Sequence, residues 1–310
     1  MLSTGPDSGY IHVAVGVIEG KDRKILLTRR PEHAHQGGKW EFPGGKVESG
    51  ETVQEALSRE LSEELDIVPE RLSPLIRIPF HYPEKHVLLD VWLVHQFAGT
   101  PTALEGQPMT WCQRDALGDM EFQEANKPII QALNLPDRVL VTPSSLSSIE
   151  LLQGLSRSLD PRSPSVVYLR NVAVTYEVID IIHAAGCIAI SRPDDLTEAL
   201  DGYHLTSDVL MNLSERPDAD GKLLSASCHS IEQIEKANYL GLDYIFLSPV
   251  KQTSTHPDVA PLGWPKFSEW AGLAGMPVYA LGGMQEDDIC EAKARGGQGV
   301  AAITGLWNTE

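Results

Sequence analysis

Residues 45–67 read GKVESGETVQEALSRELSEELDI, from Gly45 to Ile67, and the spacing inside that stretch is its most informative property. Gly45 is followed after five residues by Glu51, and Glu51 after seven by Arg59-Glu60-Leu61-x-Glu63-Glu64. The end of the stretch predicts a helix, with Glu60, Glu63 and Glu64 at i, i+3 and i+4 on one strip of its surface. Like charges so placed cost a helix about a few tenths of a kcal/mol per pair. Arg59 offsets part of that cost. A divalent cation would offset it fully, and an all-oxygen cluster is what Mg²⁺ or Mn²⁺ prefers. A Glu-rich run ordinarily marks a solvated helix face, but a glycine loop at fixed distance upstream argues against that here.

The chain has 310 residues, enough for two domains with full cores, and a break is expected near Leu135-Pro136-Asp137, giving units 1–136 and 137–310. A formal charge of −18 argues against a nucleic-acid polymer as partner. Lys21, Arg23, Lys24, Arg29, Arg30, Lys39 and Lys46 nearly balance the acids of the first fifty residues, so a small nucleotide can still be drawn in locally. The polar start MLSTGPDSGY has neither a basic n-region nor an apolar h-region, so no signal peptide is expected. No apolar run approaches membrane-spanning length. Cys112, Cys187, Cys228 and Cys290 have no paired spacing, which reads as free thiols in a reducing cytoplasm.

The first unit predicts strands at His12–Ile18 and Lys24–Arg29, the acidic helix, strands around Leu75–Phe80 and Val87–Phe97, and a closing helix at about Asn126–Leu133. That order suits an α/β/α sandwich. After the break, eight short apolar runs alternate with helical stretches: Val139–Thr142, Val166–Arg170, Cys187–Ser191, Tyr203–Thr206, Leu223–Cys228, Tyr244–Val250, Val278–Gly283 and Gly299–Gly305. Eight runs are the count for a TIM (β/α)8 barrel, with an open parallel sheet as the other arrangement. Roughly 170 residues is tight for the barrel, so its helices must be short and the eighth dispensable.

The stretch at 45–67 resembles the Nudix box, the catalytic loop-helix of the Nudix hydrolases, with Asp66 where the family usually has glycine. Asp tolerates a left-handed backbone, so local strain is expected there and not a lost site. The loop before it, Trp40-Glu41-Phe42-Pro43-Gly44-Gly45-Lys46, lets backbone approach a ligand closely, and a free carbonyl there can coordinate a metal. IHVAVGVI, ILLTRRPEHAHQGGKWEFPGGKVESGET, ALEGQPMTW and FQEANKPII resemble the MutT branch of the family, which hydrolyses 8-oxo-dGTP to the monophosphate and so cleanses the nucleotide pool. The resemblance implies nucleotide contacts at Arg30 and His35, a base-and-sugar loop at Glu41, Phe42, Pro43 and Gly44, and a purine-reading residue at Asn126. An Asn side chain offers both a donor and an acceptor to a purine edge; an N-cap before Lys127-Pro128 is the competing role. Lys46 could neutralise a phosphate. The resemblance further implies Mg²⁺ held by the Gly44 carbonyl, Glu60, Glu63, Glu64 and Glu105, with catalysis by Glu60, Glu64 and Glu105. Glu60 or Glu105 would take the proton of the attacking water.

YLRN, GYHLT, SASCHS, DYIFLSPVKQTSTHPD, YALGGM and GVAAITG resemble the thiamine phosphate synthase/TenI superfamily of barrels. Departures cluster on the synthases' pyrophosphate-and-magnesium side, with Asn171-Val172 after Arg170, Ser191 for a metal-binding Asp, and His256 for a lysine. Thr253, Ser254, Thr255, Gly282, Gly283, Ile303 and Thr304 match the side that holds a thiazole monophosphate, and His229 is a candidate acid/base or a buried barrel histidine. Three readings follow: a MutT-type hydrolase with an appended barrel, a thiamine-pathway protein whose barrel defines the substrate, or a hydrolase with a phosphate-sensing barrel. Small-molecule nucleotides and a phosphorylated thiazole are the expected ligands.

Overall fold

The structure is a computed structural model that describes residues 9–32, 36–195, 198–253 and 259–308. The chain divides into two compact units, Met1–Asn134 and Leu135–Glu310. The first runs β1 (Tyr10–Glu19), β2 (Ile25–Arg29), β3 (Trp40–Glu41), β4 (Gly44–Lys46), α1 (Val53–Leu65), β5 (Ile67–His81), β6 (His86–Gly99), β7 (Met109–Cys112) and α2 (Lys127–Asn134). The sheet order is β3-β2-β1-β6-β5, with β4 also on β1 and β7 on β2. β1 shows why the unit is a sandwich. Val15 and Val17 face a core shared with Phe42, Phe122 and Ile129 of α2, while Ala14 and Ile18 face Ala56, Leu57, Leu61 and Leu65 of α1. Alternation with period two puts one helix on each face.

α1 begins where Thr52 and Glu55 form a reciprocal capping box, and ends at Asp66 with φ 55° and ψ 38°. The left-handed conformation expected at this non-glycine position is therefore adopted. β5 begins eight residues before the expected Leu75–Phe80, because its antiparallel ladder with β6 continues through Pro69 and Pro74 with register shifts, while β6 nearly matches the expected Val87–Phe97. α2 starts at Lys127, after a 3₁₀ turn at Glu124–Asn126, and Asn126 makes no side-chain cap bond to it among the described residues.

The second unit runs β8 (Arg138–Val141), α3 (Ser148–Ser158), β9 (Val166–Tyr168), α4 (Tyr176–Ala184), β10 (Ile188–Ser191), β11 (Gly202–Leu205), α5 (Ser207–Asn212), β12 (Leu223–Cys228), α6 (Ile231–Leu240), β13 (Tyr244–Leu247), α7 (Gly263–Ala271), β14 (Val278–Leu281), α8 (Ile289–Ala294) and β15 (Gly299–Ala302). All eight strands are parallel, and β15 pairs with β8, so the sheet closes into a barrel and the open alternative is excluded. Among the described residues β10 is followed only by a 3₁₀ turn at Pro193–Asp195, and no helix follows β15. The barrel's centre is packed, with Val139, Tyr168, Ile190, Tyr244, Phe246 and Tyr279 in one buried cluster. His204 lies within it, its ring 4.6 Å from Tyr168 and 4.4 Å from Phe246, bonded to Ser225 and Ser227 at 2.9 Å each. Burial pushes this imidazole down to about 3, so it is neutral at physiological pH. No described helix is long and apolar enough to cross a membrane.

Asp90 of β6 is the buried charge of the first unit's sheet. It accepts from Arg77 Nη2 at 2.7 Å, Arg77 Nε at 3.1 Å and Trp92 Nε1 at 3.0 Å, with His12 Nε2 at 3.3 Å. Burial alone would raise its carboxyl, but the His12 bond and the Arg77 guanidinium outweigh burial and lower it. A depressed folded value means stability that is present above the unfolded pKa of about 3.9 and is lost as pH falls through the folded one. Asp90→Asn is expected to cost about 1–3 kcal/mol at pH 7. Urea unfolding at pH 7 and pH 3 checks this: the gap between variant and parent should narrow at pH 3, and a pH-independent gap would contradict it.

Candidate active site

The glycine loop is a strand. Gly44–Lys46 pairs antiparallel with Val13–Val15 of β1, and α1 packs across it. A Cβ built on Gly45 would stand 2.2 Å from the Glu60 carboxyl carbon, so only glycine lets this carboxylate lie on the strand backbone. Arg59 fastens the same junction: Nη1 donates to Glu60 at 2.9 Å, and Nη2 donates to Glu51 at 2.7 Å and to the Lys46 carbonyl at 3.0 Å. The Glu51 and Glu60 bonds raise Arg59 further above its usual range, and the Arg59 bond lowers Glu51.

One turn on, the Glu64 carboxyl accepts the Gly44 N–H. Burial, then the charges of Glu60, Glu105 and Glu41, push it up to about 8. Glu105 reaches this neighbourhood because its loop covers the end of α1. Leu104 N–H donates to the Glu64 carbonyl at 3.0 Å, Thr102 N–H to the Leu65 carbonyl at 2.9 Å, and Gln107 Nε2 to the Glu64 carbonyl at 3.2 Å. These are the carbonyls that a helix end leaves without intrahelical partners. Glu63 stands apart, its side chain 60% exposed and 3.5 Å from Arg59.

The nucleotide-side candidates gather around Glu41. Arg30 Nη1 donates to Glu41 Oε2 at 2.7 Å, and Gln123 Nε2 donates to the same oxygen at 2.9 Å. Burial raises the Glu41 carboxyl against the opposing pull of Arg30 and Gln123. Phe42 is buried and stacks on Phe122 with centroids 5.4 Å apart, and the Pro43 carbonyl accepts from Gly16 N–H at 2.8 Å. Asn126 is buried at 6% exposure. Lys46 is exposed, and His35 lies outside the described residues. Sequence reasoning passed over Gln123 and Tyr82. Tyr82 is buried, its hydroxyl oxygen accepts the Ala125 N–H, and it feels the charges of Arg30, Glu124 and Glu41. Gln123 sat in view inside FQEANKPII, but its partner is 82 positions away.

Glu41, Glu60, Glu64 and Glu105, beside the Gly44 backbone, fit a hard divalent cation by donor type and by uncompensated negative charge. Among the described residues no three His, Cys, Asp or Glu side chains already close around one point fit for an ion.

The barrel has a cavity of about 1160 Å³ at the carboxyl ends of its strands, lined by Arg170, His229, Thr253, Gly282, Gly283, Ile303 and Thr304 among others. Thr255, Ser254 and His256 lie outside the described residues. Gly282 and Gly283 take φ of 98° and 68°, and a Cβ on either would come within 3 Å of Pro249 or Gln252. His229 Nδ1 lies 3.0 Å from the Ser248 carbonyl oxygen and 3.2 Å from the Ser248 hydroxyl. The Arg170 Nε is buried without a partner among the described residues. Ser191 is fully buried, donating to the Leu169 carbonyl at 3.0 Å and lying 2.8 Å from Asp195, and it does not line the cavity.

The NUDIX domain family matches residues 14–132, and the thiamine monophosphate synthase family matches residues 140–306. The first unit is similar to the 8-oxo-dGTP diphosphatase of Escherichia coli, 41% identical over 123 residues that are 40% of this chain and 95% of that protein. It is also similar to the CTP pyrophosphohydrolase of the same organism, at 37% over 39% of this chain and 90% of that one. The second unit is similar to a putative thiamine-phosphate synthase of Aquifex aeolicus, 33% identical over 34% of this chain and 56% of that protein, so the chain spans little more than half of this relative. The chain belongs to the Nudix family, as a Nudix hydrolase, through its first unit, and to the thiamine monophosphate synthase family through its second.

Proposed function

We propose that residues 1–136 form an Mg²⁺-dependent nucleoside triphosphate pyrophosphohydrolase that takes 8-oxo-dGTP to 8-oxo-dGMP and pyrophosphate in the cytoplasm, beside an independent barrel at 137–310. One observation carries the reading: Glu60 lies on the Gly45 backbone, Glu64 meets the Gly44 N–H, and the Glu105 loop is anchored on the last carbonyls of the same helix, so three carboxylates share one neighbourhood. Nudix hydrolases use divalent metals. Here the Gly44 carbonyl, Glu60 and Glu64 would hold the ion, with Glu105 and Glu63 at its edge, and Mn²⁺ would serve as well. A bound divalent ion supplies charge neutralisation at phosphate oxygens and acidifies a water. The chain's own residues do the rest. Arg59 holds Glu60 on the strand, and Glu60 or Glu105 accepts the proton of the attacking water. Arg30 and Lys46 meet the phosphates and sugar, a role expected also of His35 outside the described residues, and Glu41, Phe42 and Pro43 form the wall against which the nucleoside lies. Asn126, with no side-chain cap bond among the described residues, presents its amide to the purine edge. Similarity to diphosphatases of 8-oxo-dGTP supports this base over cytosine.

Glu64→Gln is expected to abolish Mg²⁺-dependent turnover and to leave the fold intact, since it keeps side-chain size and takes away a carboxylate that burial and its neighbours already disfavour. Near-parental turnover at ordinary Mg²⁺ would show that the ion is held elsewhere. Asn126→Ala should lower the kcat/KM ratio of 8-oxo-dGTP to dGTP by about 1–3 kcal/mol, the cost of a lost partner in a buried base pocket. Equal losses on both nucleotides would point to packing.

A second reading concerns the barrel and rests on the cavity at its mouth. Backbone amides around Gly282–Gly283 and Ile303–Thr304, with the Thr253 hydroxyl, suit the phosphate of a thiazole monophosphate. Arg170 and His229 face the remainder of that ligand. Ser191, closed by Leu169 and Asp195, offers no carboxylate where a synthase needs one for the metal that helps pyrophosphate depart. The full-length chain should therefore bind a thiazole monophosphate by calorimetry yet form no thiamine phosphate from it and a pyrimidine diphosphate. Robust condensation would contradict the lost metal side, and absence of binding would reduce the cradle to a barrel rim.

A further inference from the structure

Beyond Asn126 itself, the turn that carries it is clamped at four points. Trp40 N–H donates to the Glu121 carbonyl at 2.9 Å, Phe42 stacks on Phe122, Gln123 Nε2 donates to Glu41 Oε2 at 2.9 Å, and Ala125 N–H donates to the Tyr82 hydroxyl. The first two bind the turn's start to the strand at Trp40–Glu41 and the loop after it, and are backbone and ring contacts that tolerate change of side-chain chemistry. The last two are single polar bonds, made at the third and the first position before the residue proposed to read the base.

Gln123 does more than hold the turn. Glu41 Oε2 already receives Arg30, and Gln123 fills the same oxygen from the other side. Oε1 is left without a partner among the described residues. With Arg30 and Gln123 both on Oε2, the carboxylate cannot rotate without breaking a charge-assisted bond. Its open oxygen is thereby held at a fixed position relative to Asn126, which the same Gln123 turn carries. Tyr82 closes the arrangement from the β5–β6 turn, where its ring is packed 4.7 Å from Phe80.

We infer that Gln123 and Tyr82 are positioning residues for base selection: together they set the distance between the Asn126 amide and the Glu41 carboxylate, and so determine how well an oxidised purine is preferred over its parent. The inference rests on the proposed base-reading role of Asn126. Neither residue touches the phosphates, so their loss acts on KM and leaves kcat near its parental value.

The test uses the full-length protein with Mg²⁺ and steady-state kinetics on 8-oxo-dGTP and dGTP for Gln123→Ala, Tyr82→Phe and Asn126→Ala. Tyr82→Phe keeps the packed ring, which protects the series against a variant that fails to fold. Each positioning variant should raise KM for 8-oxo-dGTP by about three- to tenfold, the effect of one hydrogen bond, with dGTP less affected and kcat little changed. If Asn126→Ala lowers the preference for 8-oxo-dGTP and the other two do not, the turn is held without them and the inference is wrong. Equal KM increases on both nucleotides would also overturn it, since a packing defect does not select between bases. If Asn126→Ala leaves the preference unchanged, the base-reading role itself fails and takes this inference with it.

Discussion

Arg59 ties the acidic helix to the strand before it, and the placement of Glu60, Glu64 and the loop bearing Glu105 depends on that tie. A planar guanidinium can donate at once to Glu51, Glu60 and the Lys46 carbonyl, and an ammonium could not reproduce that fork. With α1 so fixed, Glu60 lies on Gly45 and Glu64 meets the Gly44 N–H. The end of the helix is fixed too, and its last carbonyls become the anchor for the loop bearing Glu105. The result is a cluster of negative charge held together by one cation and several backbone amides. Such a cluster is poorly balanced by itself, which is the physical ground for expecting a divalent ion there.

The second unit solves a different problem. Its interior is filled with aromatic rings around a neutral His204, so the cavity begins only at the strand ends. It is lined by groups following β8, β9 and β12–β15, while Ser191 at the end of β10 is sealed by its own hydrogen bonds.

Much of this was legible in advance because it rests on local signals. Ala56, Leu57, Leu61 and Leu65 recur at helical spacing behind a Thr52–Glu55 cap, and eight β-branched runs announce eight strands. What escaped was set by contacts distant in sequence. Gly44–Lys46 has no strand propensity and is a strand only because β1 offers it partners. Tyr82 lies in a turn, and nothing local tells that its hydroxyl meets Ala125. Glu63, at the same spacing as its neighbours, has a side chain 60% exposed and 3.5 Å from Arg59.

The most direct measurement is product analysis by ³¹P NMR of 8-oxo-dGTP incubated with the full-length protein and Mg²⁺. Hydrolysis at an internal phosphate releases pyrophosphate and the nucleoside monophosphate in equal amounts, and none when the metal is chelated. Release of orthophosphate with a nucleoside diphosphate, or turnover that persists in chelator, would contradict a metal-dependent pyrophosphohydrolase built on Gly44, Glu60 and Glu64.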